Sequence, residues 1–325
     1  MVTDLIIDGN YILSKLVFVL YKNNVLYGSL ESSLENTISS YRKWYPFSNI
    51  YLVSDSKEKS WRKKYSNEYK LNRKRDTQID WDFVYECYYK FKLNVSSRVK
   101  VLESPNIEGD DWISFLVKKS NDRGRSTIIV SNDHDIKQLI KFNLSPLYIN
   151  IMTNEMMGKE KVFLPNNYEI FLDSFSKLPD DDIFNLNDNN DFLTLMDKFL
   201  NKYDIKRIDS KESLIIKVIS GDSSDNIKSV WSQIKNGKRR GIGEKGAKTI
   251  YDNYIKEFGE PIIEDIDFCE NVADLLCEKK KLNKSSMGDI VENIKNNIKL
   301  VDLRLENIPD NIVKKMEEKY NFLKK

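Results

Sequence analysis

The sequence predicts an α/β fold in which a mostly parallel central sheet is flanked by helices. Five short apolar runs are rich in β-branched residues and bounded by polar turns, which is typical of strands buried on both faces. Stretches with helical periodicity separate these runs, and this alternation predicts parallel strands joined by right-handed crossovers. The runs are 5–7, 50–53, 99–102, 127–130 and 147–151, and the helical stretches are 30–41, 81–91, 111–119 and 136–141.

A second, smaller domain is predicted in the C-terminal part of the chain. The strand pattern fades from about residue 160, and the sequence after residue 210 is helical and rich in lysine. A length of 325 residues suits two modest domains. We therefore predict an α/β domain over 1–205 and a helical domain over 206–325. Residues 56–80 are basic and aromatic without an apolar stripe, and we expect them to project from the sheet as an arch.

The composition argues against several classes of protein. The most apolar early stretch, 11–20, is too short to span a bilayer and is interrupted by Ser14 and Lys15. The three cysteines are scattered and have no paired spacing, which fits a reducing cytoplasm rather than a disulfide framework or a zinc site. The single histidine, His134, lies between two aspartates, so Ser-His-Asp or Cys-His catalysis is not favoured.

Five clusters of acidic residues indicate the chemistry. Asp8, Asp55 and Asp133 each close or follow an apolar run, and ligands in open α/β sheets gather beyond the carboxyl ends of the strands. Converging carboxylates repel one another unless cations neutralise them, and oxygen ligands suit Mg²⁺ or Mn²⁺. The pattern therefore predicts a two-metal phosphoryl-transfer enzyme. The candidate ligands are Asp8, Asp55, Glu108, Asp110, Asp111, Asp133, Asp135, Asp222 and Asp225.

Each acidic cluster also has an ordinary structural explanation. Acids in the motif EGDDW precede an apolar helical stretch, where carboxylates commonly cap the helix and complement its dipole. Asp133 and Asp135 alternate after a strand, so we expect their carboxylates on one side. Asp222 and Asp225 are three residues apart after the helical run 214–219, so they are expected to share a helix face.

Two basic segments predict a polyanionic substrate. The net charge is only +2, but without the nine clustered acids the rest of the chain carries +11. Residues 57–75 hold nine lysines and arginines against two glutamates, with aromatics at a spacing of four. The aromatics are expected to stack on bases while cations contact phosphates; the alternative is a solvated basic helix. The candidate contacts in this segment are Trp61, Lys63, Lys64, Tyr69 and Arg73.

The motif GIGEKGAKTI predicts a second phosphate contact. Two glycines make a tight turn, and the amides of the following helix can bind a backbone phosphate, as in a helix-hairpin-helix element. A dinucleotide fingerprint would need a strand before the glycines, and the preceding residues are basic and polar. The candidate contacts are Lys238, Arg239, Arg240, Gly241, Gly243, Lys245, Gly246 and Lys248.

Taken in order, these motifs resemble the 5′ nucleases of the flap-endonuclease superfamily, and within it the T-even phage ribonuclease H and the phage 5′-exonucleases. The matching stretches span nearly the whole chain: IIDGN, LVSDS, WRKKYSNEYKLNR, EGDDWISFLVKK, SNDHDIKQL, VISGDSSDNI, GIGEKGAKTI and LENIPDNI. Two departures are visible. The segment 161–210 is longer than in the phage ribonuclease H, and residues 231–240 lengthen the span before GIGEKG.

The resemblance implies a PIN-like nuclease core with an arch and a helix-hairpin-helix element. It implies one metal near Asp8, Asp55, Glu108 and Asp110, and a second near Asp111, Asp133, Asp135, Asp222 and Asp225. Of these, Glu108 and Asp225 are expected to act through water rather than touch the metal. Arg62 and Lys70 are implied to engage the scissile phosphate.

The implied activity is metal-dependent 5′-3′ exonuclease, flap endonuclease and ribonuclease H cleavage during replication and primer removal. DNA and RNA–DNA hybrids are the implied substrates, Mg²⁺ the cofactor, and K⁺ an ion at the helix-hairpin-helix turn. A replication clamp or a single-strand-binding protein is an implied partner of a monomer that does not bind membranes. Two alternatives remain: a PIN-like ribonuclease, which would lack GIGEKGAKTI, and a non-catalytic DNA-structure-binding protein, which would have lost carboxylates.

Overall fold

The structure, a computed structural model, divides the chain into two compact units. It describes residues 3–42, 47–73, 76–140, 150–156, 159–165, 204–265, 267–282 and 284–323. The first unit comprises Met1–Ser60, Asp76–Asp209 and Pro309–Lys325, and the second comprises Trp61–Arg75 and Ser210–Ile308. Both units are therefore discontinuous in sequence, whereas the predicted domains meet at a single boundary near residue 205. The DNA-binding role given to the C-terminal domain stays a prediction.

The first unit is built on a seven-stranded sheet of order β3-β2-β1-β4-β5-β6-β7. All neighbouring strands are parallel except β5 and β6. This confirms the predicted α/β class with a mostly parallel sheet. The strands are β1 Thr3–Asp8, β2 Asn49–Val53, β3 Lys100–Leu102, β4 Ser126–Val130, β5 Asn150–Met156, β6 Lys159–Pro165 and β7 Asp204–Ile208.

Helices flank this sheet in the first unit and build most of the second. In the first unit, apolar faces of α1, α2 and α3 form one core with β1, β2 and β4, and Leu5, Leu34 and Val84 are fully buried in it. The first-unit helices are α1 Gly9–Lys22, α2 Leu26–Arg42, α3 Trp81–Val95 and α4 Gly109–Asn121. Those of the second unit are α5 Ser210–Ser220, α6 Glu244–Phe258, α7 Phe268–Lys280 and α8 Met287–Val301, and α9 Asp310–Phe322 returns to the first.

Two local predictions differ from the structure, and a third falls mostly outside the described residues. The strands β6 and β7 lie where the apolar pattern fades, because lysines and arginines interrupt both strands and hide them from a hydrophobicity count. The helix expected over 136–141 is a short 3-10 turn, His134–Leu139. Most of the long segment 161–210 falls outside the described residues, so its predicted length difference gains no structural explanation.

The second unit contains a helical core and a small hairpin. Its core joins α5, α6, α7 and α8, with Val218, Phe268 and Ile294 fully buried. Tyr69 belongs to the same core, so part of the expected arch packs within this unit instead of projecting freely. Strands β8 Ser232–Lys235 and β9 Lys238–Gly241 pair antiparallel. No helix among the described residues is both long and apolar enough to cross a membrane.

Candidate active site

The acidic residues of the first unit collect at the carboxyl ends of its parallel strands. Asp8 is the last residue of β1, and Asp55 and Asp133 follow β2 and β4 within three residues. Strand β1 pairs with β2 on one side and with β4 on the other. The strands β2 and β3 extend the sheet in one direction from β1, and the later strands β4 to β7 extend it in the other. This is the topological switch point at which open α/β sheets bind ligands.

Asp8 is held rigidly in a buried position. Its Oδ1 accepts a hydrogen bond from the backbone N–H of Tyr11 at 3.0 Å, which caps α1, and its Oδ2 accepts one from Ser131 Oγ at 2.8 Å. The pKa of the Asp8 carboxyl is raised to about 6, mainly by burial; the nearby charges of Asp133 and Asp55 also raise it, and the two hydrogen bonds partly oppose the shift. The ionised form of Asp8 is therefore less stable at this position than it would be in water.

Asp55 is tied to the turn that carries Glu108 and Asp110. The backbone N–H of Gly109 donates to Asp55 Oδ1 at 2.7 Å, and Asn10 Oδ1 lies 3.5 Å from the backbone nitrogen of Asp55. Asp55 is exposed and Asp110 is partly exposed, whereas Glu108 is buried at the start of α4. One backbone hydrogen bond thus brings three predicted ligands to one edge of the sheet.

Asp111 has a structural role at the start of α4, which it shares with Glu108. It is fully buried, and its Oδ2 accepts a hydrogen bond from the backbone N–H of Glu108 at 3.1 Å. This is the reciprocal capping interaction at the start of α4. The structure therefore supports the ordinary capping explanation for Asp111, and the metal role assigned to it stays a prediction.

Ser131 links the strand-end acids of β1 and β4. Its hydroxyl donates to Asp8 and accepts from the backbone N–H of Asp133 at 3.0 Å. Asp133 Oδ1 in turn accepts from the backbone N–H of Asp135 at 2.8 Å and caps the 3-10 turn. Both acids are partly exposed, and His134 between them is exposed.

Sequence reasoning missed the residues that support this edge. A Cβ on Gly9 would stand 2.7 Å from the carbonyl oxygen of Val53 and would collide with Tyr88 Oη, so only glycine fits after Asp8. Tyr88 Oη and Ser54 Oγ are 2.7 Å apart and buried beneath the acids. Gly9 directly follows Asp8, and Ser131 is two residues before Asp133. This closeness in sequence to the predicted ligands is the signal from which their supporting roles could have been predicted.

The donor set of the first unit fits a hard divalent cation. It consists of carboxylate oxygens only, and no lysine or arginine in the part of the chain that the structure describes forms an ion pair with Asp8. The raised pKa of Asp8 agrees with a buried negative charge that two hydrogen bonds offset only in part. Mg²⁺ or Mn²⁺ would supply that compensation with the ligand type each prefers.

The acids of the second unit have protein cations beside them. Burial raises the pKa of Asp222, but hydrogen bonds from Lys217 and Ser224 outweigh it and hold the pKa at about 2. Lys217 Nζ lies 2.7 Å from Asp222 Oδ2. Helix α5 ends at Ser220, before a left-handed Gly221 with φ of 71°, so Asp222 lies in a loop. The expectation that Asp222 and Asp225 share a helix face is wrong.

Asp225 is buried and fastens the basic segment to this loop. Arg73 donates to its Oδ1, and Lys70 Nζ lies 3.9 Å from its Oδ2. The backbone N–H of Lys70 also donates to the carbonyl oxygen of Asp225 at 2.8 Å. Lys70 and Arg73, predicted to contact nucleic acid, are therefore both engaged by Asp225 in this structure.

Three other predicted contacts in the basic segment are buried rather than presented to solvent. Trp61 and Tyr69 are each 3% exposed, which leaves no ring face for a base. Arg62 is 1% exposed, stacks on Trp61 and donates from Nε to the carbonyl oxygen of Leu300 at 3.0 Å. The segment lacks an apolar stripe but uses isolated large residues to pack, and a periodicity test does not detect this. The base contacts of Trp61 and Tyr69 and the phosphate contact of Arg62 stay predictions, and the burial of these side chains does not support them.

Of the remaining basic-segment candidates, Lys64 is exposed and Lys63 is partly buried. Lys63 Nζ donates to the carbonyl oxygens of Asn67, at 3.4 Å, and Tyr69. Tyr65 is 42% exposed. Lys64 and Tyr65 are thus a cation and a ring in this segment that a ligand could reach.

The glycine motif forms the start of α6 as expected. Gly243 is the N-cap, Ile242 is buried, and Gly241 lies so close to Ser229 that a Cβ there would stand 2.6 Å from the Ser229 Cβ. Lys245 is exposed and Gly246 partly so, whereas Lys248 forms ion pairs with Glu212 and Asp252.

A strand does precede these glycines, contrary to the prediction, but β9 belongs to an isolated two-stranded hairpin. The parallel βαβ setting of a dinucleotide fingerprint is not met.

Comparison with known proteins agrees with this arrangement. The family model described as "5'-3' exonuclease, N-terminal resolvase-like domain" matches residues 3–165. The 5'-3' exonuclease of Buchnera aphidicola subsp. Schizaphis graminum is 30% identical over 49% of this chain and 55% of its own length. That of Mycoplasmopsis pulmonis is 25% identical over 77% of this chain and 66% of its own length. The chain thus spans little more than half of the first of these relatives.

Similar phage proteins extend the comparison. The ribonuclease H of Enterobacteria phage T4 is 30% identical over 29% of this chain and 32% of its own length. A T5 5'-exonuclease structure with bound zinc covers 99% of both chains with a TM-score of 0.62 at 17% identity. A T5 flap endonuclease in a pseudo-enzyme-product complex with DNA and metal ions gives a TM-score of 0.61 at 16% identity, covering 99% of this chain and 100% of that one. These structural matches establish the fold, and with the family match they show that the chain belongs to the 5′-3′ exonuclease family of the 5′-nuclease superfamily.

Proposed function

We propose that this protein is a metal-dependent 5′-nuclease that hydrolyses phosphodiesters near the 5′ end of DNA or of RNA primers. Duplex, RNA–DNA hybrid and flap structures are its proposed substrates, and DNA replication in the cytoplasm is the proposed setting, with the protein as a monomer. The observation that carries the proposal is Asp8, a buried carboxylate of raised pKa held between the ends of β2 and β4 with Asp55 and Asp133 nearby.

Two Mg²⁺ ions, or Mn²⁺ in their place, are the proposed cofactors. The residues that would hold them in the first unit are Asp8, Asp55, Asp110, Asp133 and Asp135, with Glu108 acting through water. When bound, such ions activate water and stabilise the charge that develops on the phosphate oxygens. The contributions of Asp222 and Asp225, and K⁺ at the turn before α6, stay predictions.

The protein's own part in this chemistry is preorganisation. The Tyr11 amide and the Ser131 hydroxyl fix both oxygens of Asp8, and the Gly109 amide fixes one oxygen of Asp55. Each of these donors is set by a strand end or a helix start, so the carboxylates do not need to reorganise when charge develops in the transition state.

The second unit supplies the proposed contacts to nucleic acid. The amides at the start of α6 and the exposed Lys245 suit a duplex phosphate, and Lys64 with Tyr65 suits a strand with unpaired bases. Engagement of the scissile phosphate by Lys70 stays a prediction, as do a replication clamp and a single-strand-binding protein as partners.

The test is Asp133→Asn on a labelled 5′-flap duplex in Mg²⁺. Loss of a strand-end carboxylate beside Asp8 is expected to lower the cleavage rate by about a hundredfold or more, while binding in EDTA is retained. Asp122→Asn is the matched control, because this exposed acid lies at the far end of α4, where its partner among the described residues is Lys118. Near-wild-type cleavage by Asp133→Asn would refute the metal assignment.

The same assay separates the alternative of a non-catalytic DNA-structure-binding protein. That function requires equal affinity for the flap duplex with and without Mg²⁺, together with no cleavage by the wild-type chain. Product mapping on flap, nicked and RNA–DNA substrates would then rank the activities of an active enzyme.

A further inference from the structure

The hairpin formed by β8 and β9 has an unusual distribution of charge. Its two-residue turn, Asn236–Gly237, has positive φ at both positions, 54° and 70°, which is the type I′ geometry favoured between antiparallel strands. From residue 226 to residue 243 the sequence contains five lysines and arginines and no acid.

The pairing register places three of the four cations of the hairpin on one face. Lys235 is opposite Lys238, and Gln233 is opposite Arg240. Residues that are directly opposite, and those two apart along a strand, point to the same side of a sheet, so Lys235, Lys238 and Arg240 share one face. Ile234 points to the other face and is 76% exposed.

This arrangement is unfavourable for the hairpin by itself. Like charges directly opposite each other destabilise an antiparallel pair, and an isolated two-stranded hairpin is marginally stable. Lys235, Lys238 and Arg240 are all exposed, and no carboxylate in the described part of the chain forms an ion pair with any of them. A polyanion lying along this face would relieve the repulsion.

The base of the hairpin is fixed to the helical core. Ser229 Oγ accepts from the backbone N–H of Ile242 at 2.9 Å and donates to the carbonyl oxygen of Ile219 at 3.1 Å. Gly241 packs against Ser229, and Ile242 is buried at the start of α6. The cationic face is therefore carried by a short element with a rigid attachment.

We propose that the hairpin Ser232–Gly241 is a basic wing that lies on the phosphate backbone of duplex nucleic acid. The proposal rests on the nuclease function proposed above, and adds a duplex contact that is separate from the glycine turn of α6. Lys238 and Arg240 are two residues apart, about 7 Å along the strand, which matches the advance of about two nucleotides of one DNA strand along the helix axis at 3.4 Å each. The wing contributes affinity that does not depend on sequence.

The salt dependence of duplex binding tests the wing. A labelled duplex with a 5′ flap is titrated in EDTA, where cleavage is blocked, between 50 and 200 mM salt. Loss of about three phosphate contacts in the triple variant Lys235→Ala/Lys238→Ala/Arg240→Ala is expected to reduce the log–log slope by about 2.7, at about 0.9 per contact. Over this salt range the wild-type affinity then falls about 40-fold more than that of the variant.

Two controls keep the result specific. Ile234→Ser changes the opposite face and is expected to leave the slope unchanged. The triple variant Lys256→Ala/Lys279→Ala/Lys295→Ala removes the same charge from exposed positions of α6, α7 and α8, and should change the slope by less than one contact. Matching thermal unfolding curves for all variants establish that the folded state is retained.

The outcomes separate the wing from the nuclease function. A slope and an affinity for the hairpin variant equal to those of the helix-face control would overturn the wing, and an acidic protein partner would produce that result. Cleavage of the flap by wild-type protein in Mg²⁺ would then leave the nuclease proposal intact. A reduced slope together with no wild-type cleavage would instead support the wing and refute the nuclease.

Discussion

Asp8 in the first unit and Asp222 in the second both belong to acidic motifs, yet their surroundings shift the carboxyl pKa in opposite directions. Burial and neighbouring carboxylates raise the pKa of Asp8 to about 6. Burial also acts on Asp222, but Lys217 and Ser224 outweigh it and hold the pKa at about 2. The first motif therefore carries uncompensated charge, as a cation site does, whereas the protein itself neutralises the second.

This difference changes how the nine predicted ligands should be ranked. The acids around Asp8 need a cation to remain ionised together. Without the cation, the same negative charges that would bind it lower the stability of the folded protein. Asp222 and Asp225 already stabilise the folded second unit through Lys217, Lys70 and Arg73. Substitutions in the two groups should consequently have opposite effects on stability.

Asp8→Asn is expected to give the largest effect. Cleavage should fall by about a thousandfold, because one central carboxylate is lost. Metal-free stability at pH 8 should rise by about 2–3 kcal/mol, because asparagine still caps α1 but carries no buried charge. Urea unfolding in EDTA measures the second effect.

The pH dependence of that gain follows from the raised pKa of Asp8. The Asp8 carboxyl keeps its proton up to about pH 6 in the folded protein but only up to about pH 3.8 in the unfolded chain. Its favourable contribution to stability is therefore complete below about pH 3.8 and is lost as the pH rises through about 6. The gain from Asp8→Asn should thus be complete above pH 6 and vanish near pH 4. Equal stability of the two proteins at pH 8 would contradict the uncompensated charge.

Proton release on metal binding is the second test of the same contrast. At pH 6, Asp8 holds about half a proton, which a cation must displace, whereas at pH 8 it holds almost none. Calorimetric titration with Mg²⁺ in two buffers of different ionisation enthalpy should therefore show about half a proton released at pH 6. Asp8→Asn should abolish this release, and a release that persists in the variant would assign it elsewhere.

Lys217→Met is expected to have a smaller and opposite effect on stability. Removing the ammonium from Asp222 should lower the free energy of unfolding by about 1 kcal/mol at pH 7, discounted for the partial hydration of the pair. The depressed pKa of Asp222 makes this contribution present above about pH 4 and lost as the pH falls through about 2. Chemical unfolding at pH 7 and at pH 2 measures both limits.

Lys211→Met is the control for Lys217→Met. Lys211 lies on the same helix and pairs with Glu260, but both side chains are well exposed, so the change should cost only a few tenths of a kcal/mol. Equal losses in the two variants would show that helix propensity, and not the Asp222 pair, determines the result.

The sequence was sufficient to predict the sheet and the edge of the site, but not the packing of the basic segment. Strand-end acids are detectable because the runs before Asp8, Asp55 and Asp133 are apolar and continuous. Arg62 and Tyr69, in contrast, are buried by partners about 150 or more positions away in the chain, and no local pattern encodes such contacts. The family resemblance gave Arg62 its predicted phosphate contact and the aromatic spacing gave Tyr69 its predicted base contact, and neither argument carries information on this packing.

The failure to predict the hairpin of the second unit has a similar cause, because contacts outside the hairpin stabilise it. A like-charged pair such as Lys235 and Lys238 opposes strand formation locally, so sequence reasoning found no strand before the glycine turn. The hairpin forms because its turn geometry and its attachment through Ser229 outweigh that repulsion.

Glu68→Gln should give the smallest effect and sharpens what holds the basic segment to the Asp222–Asn226 loop. Glu68 forms an ion pair with Lys228 in which both side chains are more than half exposed, so its loss should change the free energy of unfolding by less than about 0.5 kcal/mol. The Glu68 carbonyl oxygen, however, accepts from Asn226 Nδ2 at 2.8 Å, where Asn226 has a positive φ of 59°. Asn226→Ala should cost about 1–2 kcal/mol, because it loses this bond and strains the backbone. Urea unfolding of both variants decides the matter: a larger loss for Glu68→Gln would mean that exposed charge, rather than backbone geometry, fastens the segment.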